Sequence, residues 1–98
     1  MNRDLHPIDG ARYLLERTQE LDDGIRAQYR AAIYTRDAEF AATATLEDNG
    51  RVELPPTGAP DELQARLTTI AKLVARDAGK LRENGMPPWP SRILRWRR

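Results

Sequence analysis

The sequence predicts an α+β fold, in which a three-stranded antiparallel meander lies between an N-terminal and a C-terminal helix. Two observations carry this prediction. The segment 60–85 repeats its apolar residues at helical spacing, whereas the segments 25–35 and 39–47 alternate apolar and polar residues as half-buried strands do. The predicted order is therefore α-β-β-β-α, with the C-terminal helix packed on one face of the sheet.

The C-terminal helix over 60–85 has the clearest signature. Pro60 suits a first-turn position, and the two acids that follow it complement the helix dipole. Asn84 and Gly85, followed by two prolines, are a strong stop signal. Its apolar residues form one stripe, made of Leu63, Leu67, Ile70, Val74 and Leu81. Such a stripe needs an apolar surface to lie on.

A shorter helix is predicted over 11–21. Asp9 is placed to cap its start, and Gly24 to end it in a left-handed conformation. The alternative is one longer helix that continues to residue 34, since apolar residues recur every four positions from Leu21 to Ile33. We prefer the break, because alternation begins near residue 25. The apolar positions that support the short helix are Ala11, Leu14, Leu15, Thr18 and Leu21.

Three strands are predicted over 25–35, 39–47 and 51–54. The turn between the last two can be argued from register. A three-residue turn over 48–50 pairs Leu46 with Val52 and keeps the apolar side chains on one face, whereas a two-residue loop would mix the faces. The same parity argument places Ile33 opposite Phe40 in the first hairpin.

Size and composition fit a single small domain, 1–85, followed by a Pro/Trp/Arg-rich tail, 86–98. Hydrophobic residues make up 40% of the 98, and the net charge of +1 is uneven because the tail holds four arginines and no acid. No apolar run reaches membrane-spanning length, and the charged start has no signal segment behind it. These features predict a soluble, cytoplasmic protein without a membrane span.

The residues that usually carry catalysis are scarce. There is no cysteine, which excludes disulfides and zinc-finger chemistry, and His6 is the one histidine, in a segment that we expect to be loosely held. The glycines are isolated, so no phosphate-cradling loop is present, and the paired acids lie at turns or helix starts. The sequence predicts a non-enzymatic protein with no catalytic residue, no cofactor and no metal site.

The tail is the strongest candidate for a partner-binding segment. It could fold back over the core, dock on a protein, or bind nucleic acid or anionic lipid through charge and stacking. Packing is expected for Trp89 at least, because prolines limit its reach. The candidate partner-binding residues are Trp89, Arg92, Ile93, Arg95, Trp96, Arg97 and Arg98.

The second sheet face is the other candidate surface. Its centre is small or semi-polar, with Ala32, Tyr34 and Thr43 among its residues, so a homodimer is plausible. The order α-β-β-β-α also occurs in double-stranded-RNA-binding domains, but those need lysines at the start of the last helix, where this chain has Asp61 and Glu62. We therefore predict a small domain that binds another protein or itself. The alternative is a nucleic-acid-associated accessory protein that uses the basic aromatic tail.

Overall fold

A computed structural model describes residues 5–98 as one antiparallel sheet with a helix on one face. The sheet has five strands in the order β4-β3-β2-β1-β5. The elements are β1 (Ala11–Leu21), a short 3-10 turn (Asp22–Gly24), β2 (Arg26–Tyr34), β3 (Glu39–Glu47), β4 (Val52–Glu53), α1 (Asp61–Glu83) and β5 (Arg92–Arg97). Below, the inner face is the one toward α1 and the outer face is the opposite one. Across residues 5–98, no helix combines the length and apolar character that crossing a membrane requires.

The predicted fold class is wrong: five strands and one helix replace three strands between two helices. The segment 11–21 forms β1, and the first half of this strand is covered on both faces. Tyr13 and Leu15 are buried in the inner core, and Leu14 between them is buried in a separate cluster on the outer face. A strand covered on both sides loses the alternation that distinguishes it from a helix.

A second difference concerns residues 92–97, which form β5 at the edge of the sheet, a strand that the predicted three-stranded meander lacks. Among residues 5–98, β5 pairs antiparallel with β1 alone. The sequence analysis predicts a helix at the position of β1, so the predicted sheet contains no strand with which residues 92–97 could pair. Because the order α-β-β-β-α is not observed, the similarity in topology to double-stranded-RNA-binding domains no longer applies.

The central hairpins and the long helix are confirmed. Ile33 pairs with Phe40 and Leu46 pairs with Val52, as the parity argument predicts. α1 ends one residue before Asn84. Its buried positions are the small or apolar residues Leu67, Ala71, Ala75 and Ala78. The alanines bring the helix close to the sheet, so that α1 covers the inner face from β1 to β4.

The outer face is covered around Leu14, Ala32 and Tyr34, whereas Thr43 of the expected semi-polar face remains exposed. Ala32 and Tyr34 are fully buried with Leu14, and Leu5 packs against them. The Nδ1 atom of His6 lies 2.7 Å from the carbonyl oxygen of Thr35, to which it donates, and its ring contacts Tyr34 at 5.3 Å. Residues 5–7 are therefore held on the sheet; the rest of the arm, residues 1–4, lies outside the described residues.

Candidate partner-binding groove

The predicted binding segment is divided between the two faces of the sheet. Ile93, Arg95 and Arg97 pair with inner-face residues of β1 and share that face. The alternate residues of β5 lie on the outer face, so the sheet separates Arg92 and Trp96 from Arg95 and Arg97. The tail therefore does not form one basic aromatic patch.

Trp89 belongs to the core, as expected. Only 2% of it is exposed, and its indole N–H donates to the carbonyl oxygen of Gly24 at 2.6 Å. Its ring makes an edge contact with Tyr29, and its own carbonyl accepts a hydrogen bond from Arg17 at 2.7 Å. The side chain and the backbone carbonyl of Trp89 are thus both bonded within the chain. Trp89 therefore positions the segment before β5 and is not accessible to a partner.

Tyr29 makes a second anchor for the same segment. Its hydroxyl donates to the carbonyl oxygen of Pro90 at 2.7 Å. Burial raises the pKa of Tyr29 to about 12, because the phenolate would lose its hydration in this site. Tyr29 therefore holds Pro90 as a neutral donor over the physiological pH range.

A groove runs between α1 and β5, where the helix leaves the inner face uncovered. It encloses about 300 Å³ next to the end of α1, and a neighbouring section toward the start of the helix encloses about 540 Å³. Its apolar lining includes Ile70, Val74 and Ile93. Leu73 lines both sections and is 44% exposed. The groove is therefore an apolar surface that the chain does not cover by itself.

Arginines form one border of this groove. Arg95 and Arg97 rise from β5, and among the residues that the structure describes neither has a carboxylate within ion-pair distance. Arg66 stands on the α1 side, 3.1 Å from Glu62, and both side chains are exposed, so the pair contributes little. Asp77 lies in the lining near the other end and contacts Arg76 at 3.6 Å. The lining of the two sections thus holds three arginines and two acids, and its unpaired positive charge lies on the β5 side.

Trp96 lies on the outer face and is tied to the segment before β1. It is 43% exposed, and its indole N–H donates to the carbonyl oxygen of Asp9 at 3.1 Å. Arg98 lies over the ring at 5.8 Å and also contacts the Asp9 carboxylate at 3.1 Å. One face of the indole is thus taken by a cation of the same chain.

Sequence reasoning missed the α1 side of the groove. The predicted stripe of α1 contains neither Leu73 nor Arg66, and none of the candidate partner-binding residues lies on the helix. The sequence signal for this side of the groove is Leu73, a large apolar residue that lies outside the predicted stripe of α1. Its position indicates a second apolar surface on the helix.

Within residues 5–98 no group of three or more His, Cys, Asp or Glu side chains is placed to hold a metal ion. The chain matches no protein-family model, no curated protein and no solved structure. The geometry and charge of the groove are therefore the features from which a function can be inferred.

Proposed function

We propose that this protein is a non-enzymatic binding protein, whose groove between α1 and β5 receives an extended segment of another protein that carries acidic and apolar side chains. One observation carries the proposal: Arg95 and Arg97 border an uncovered apolar surface and have no acidic partner within residues 5–98. A complementary segment would supply the missing carboxylates and cover the apolar surface at once.

The two components of the groove have different effects on binding. Covering the exposed part of Leu73 contributes about 1 kcal/mol, since burying a whole leucine side chain contributes about 1.5–3 kcal/mol. The arginines contribute mainly orientation and association rate, because exposed charges steer an encounter more than they tighten it. Moderate affinity with strong charge selectivity is the expected behaviour.

The length of the groove sets the length of the segment. Its α1 lining runs from Glu62 to Leu81, a distance of about 29 Å at 1.5 Å per helical residue. An extended chain rises about 3.3 Å per residue, so about eight or nine residues span it.

Self-association through β5 is disfavoured by charge. Pairing two copies of this edge would bring Arg92, Arg95 and Arg97 of each copy together without an intervening acid. Light scattering at micromolar concentration tests this directly: the expected result is a monomer, and a dimer would favour a second copy as the occupant.

Nucleic acid fits the groove less well than an acidic peptide. Single-stranded nucleic acids need aromatic rings on which bases stack, and the lining of the two groove sections contains none. Trp96, the exposed tryptophan, lies on the other face under Arg98. If nucleic acid were the true ligand, a single-stranded oligonucleotide should bind with a log–log salt slope near −0.7 per phosphate contact, and Trp96→Ala should weaken it.

A random peptide library selected on the immobilised full chain tests the proposal. We expect enrichment of sequences that combine Asp or Glu with apolar residues. The double variant R95E/R97E should lose these sequences or select basic ones, whereas R92E, a charge reversal on the outer face of the same strand, should retain them. Recovery of the same peptides on R95E/R97E, or no enrichment on the unaltered protein, would refute the proposal.

A further inference from the structure

We infer that β5 is a conditional edge strand: it accepts the acidic partner segment as a sixth strand of the sheet after the partner's carboxylates draw Arg95 and Arg97 away from the strand's outward carbonyl oxygens. The inference rests on the proposed function and deepens it, because it specifies how the partner binds and which residue pattern it needs.

The ladder between β1 and β5 shows which backbone groups are free. The backbone N–H of Arg17 donates to the carbonyl oxygen of Ser91 at 3.0 Å. In an antiparallel pair, residues alternate between those bonded to the neighbour and those facing away from it. Counting from Ser91 in steps of two, the odd-numbered residues of β5 bond to β1. The even-numbered residues, Arg92, Leu94 and Trp96, present their N–H and C=O groups to the open side of the sheet.

Two of these outward carbonyl oxygens are occupied by arginines of the same strand. Arg95 donates from Nη1 to the carbonyl oxygen of Leu94 at 3.1 Å, and Arg97 donates from Nη1 to that of Trp96 at 2.9 Å. An incoming strand would need these oxygens for its own N–H groups. The arginines therefore block the edge while no partner is present, which is a known role of charged side chains on edge strands.

A carboxylate can reverse this block, whereas a neutral side chain cannot. An arginine binds a carboxylate through charge-assisted and often bidentate hydrogen bonds, which are about twice as strong as neutral ones. An acidic strand thus gains two ion pairs as it frees the two carbonyl oxygens. A neutral strand loses the two arginine hydrogen bonds and gains no ion pair, so it should bind more weakly.

The spacing of the arginines defines the partner's pattern. Arg95 and Arg97 are two residues apart on one face of a strand, so their side chains lie about 7 Å apart along it. A paired strand meets both with acidic residues at positions i and i+2, and apolar residues at i−2 and i+4 would face the groove. The intervening positions would face Leu94 and Trp96 on the outer side.

Amide hydrogen exchange with two matched peptides tests this mode. The probe is Leu-Thr-Glu-Thr-Glu-Thr-Leu-Thr, blocked at both ends, and the control replaces both glutamates by glutamine. We expect the glutamate peptide to bind at least tenfold more tightly and to slow exchange at the amides of Arg92, Leu94 and Trp96 at least tenfold. The variant R95M/R97M, which lacks both blocking groups, should bind the two peptides with affinities within about threefold of each other.

The outcomes separate this inference from the proposed function. If the glutamate peptide shifts the signals of Ile70 and Leu73 without protecting the three β5 amides, the edge-strand mode is overturned and the groove proposal stands. If the R95M/R97M variant keeps a tenfold preference for glutamate, the displacement step is overturned. If neither peptide binds to the unaltered protein, both proposals fail.

Discussion

The two edges of the sheet are protected in different ways. β4 has two residues and is followed by Pro55 and Pro56, so little backbone is available there for pairing. Arg51 beside it lies between two glutamates, at 3.6 and 3.8 Å. β5 has six residues, no proline and arginines without acidic partners among residues 5–98. The β4 edge is protected by its short length and by the prolines that follow it. The β5 edge is protected by arginine side chains, which can change conformation.

An edge strand that binds a partner must itself be held firmly in the sheet. For β5 this is done by the segment before it, through Trp89, Pro90 and their contacts with Tyr29 and Arg17. At the other end of β5, the backbone of Gly10 lies close to the carbonyl oxygen of Arg97. Substitutions that remove these contacts should lower the free energy of unfolding by different amounts.

The largest effect is expected for Trp89→Ala. Removing a fully packed indole and its hydrogen bond to Gly24 should lower the free energy of unfolding by about 3–5 kcal/mol. The matched substitution is Trp96→Ala, which removes an indole that is 43% exposed and should cost less than about 1 kcal/mol. Urea unfolding of both variants measures the difference. Equal losses of unfolding free energy in the two variants would mean that the segment before β5 does not anchor the strand.

A smaller effect is expected for Gly10→Ala. Gly10 has φ +71°, and a methyl group there would overlap the carbonyl oxygen of Arg97 at the end of β5. Strain and crowding together should cost about 2–4 kcal/mol. Gly50, in the turn before β4, also has positive φ, but no atom of the described residues lies within 4 Å of the added methyl, so Gly50→Ala should cost about 1–2 kcal/mol.

Thermal unfolding compares the two glycine variants, and hydrogen exchange locates the damage. Only Gly10→Ala should speed exchange at the C-terminal end of β5. A larger cost at Gly50 would show that the β4 turn, and not the contact between Gly10 and β5, is the more constrained part of the fold.

The smallest effect is a pH dependence that comes from Tyr29. The unfolded phenol ionises near pH 10 and the folded one near 12. Between these values the unfolded chain loses the proton and the folded chain keeps it, so ionisation favours unfolding. The stabilisation is complete below pH 10 and declines by up to about 2–3 kcal/mol as the pH rises to 12.

Tyr29→Phe removes this dependence. At pH 8 the variant should be about 1 kcal/mol less stable than the unaltered protein, because the hydrogen bond to Pro90 is gone. At pH 11.5 the difference should vanish or reverse. Urea titrations at the two pH values measure it, and an unchanged difference would show that Tyr29 ionises as readily in the folded chain as in the unfolded one.

The parts of the fold that were predictable are those whose signals are local. α1 carries its own stop signal and a full stripe, and the register of β2, β3 and β4 follows from parity. β1 was not predictable in this way, since Leu14 is buried by Leu5, a residue from a segment that showed no pattern. Because β1 is predicted as a helix, the predicted sheet offers no neighbouring strand for residues 92–97, and β5 is therefore not predicted.

The candidate site was predictable only in part, for the same reason. The tail's arginines and tryptophans were visible in the sequence, but which face each would occupy depended on pairing with β1. Arg95 and Arg97 face the groove, whereas Arg92 and Trp96 do not. The groove itself arises from where α1 stops covering the sheet, and no single segment encodes that.

The position of β5 also has a kinetic consequence. Its anchoring bond joins Arg17 to Trp89, 72 residues apart, and its far end joins Trp96 to Asp9, 87 residues apart. Closing such a loop costs about 2–3 kcal/mol more than closing a short hairpin, so these contacts should form after the rate-limiting step of folding. Substitutions in β5 should then accelerate unfolding and leave the folding rate nearly unchanged. The proposed binding surface would then be the last part of the molecule to be completed, and partly folded chains would lack it.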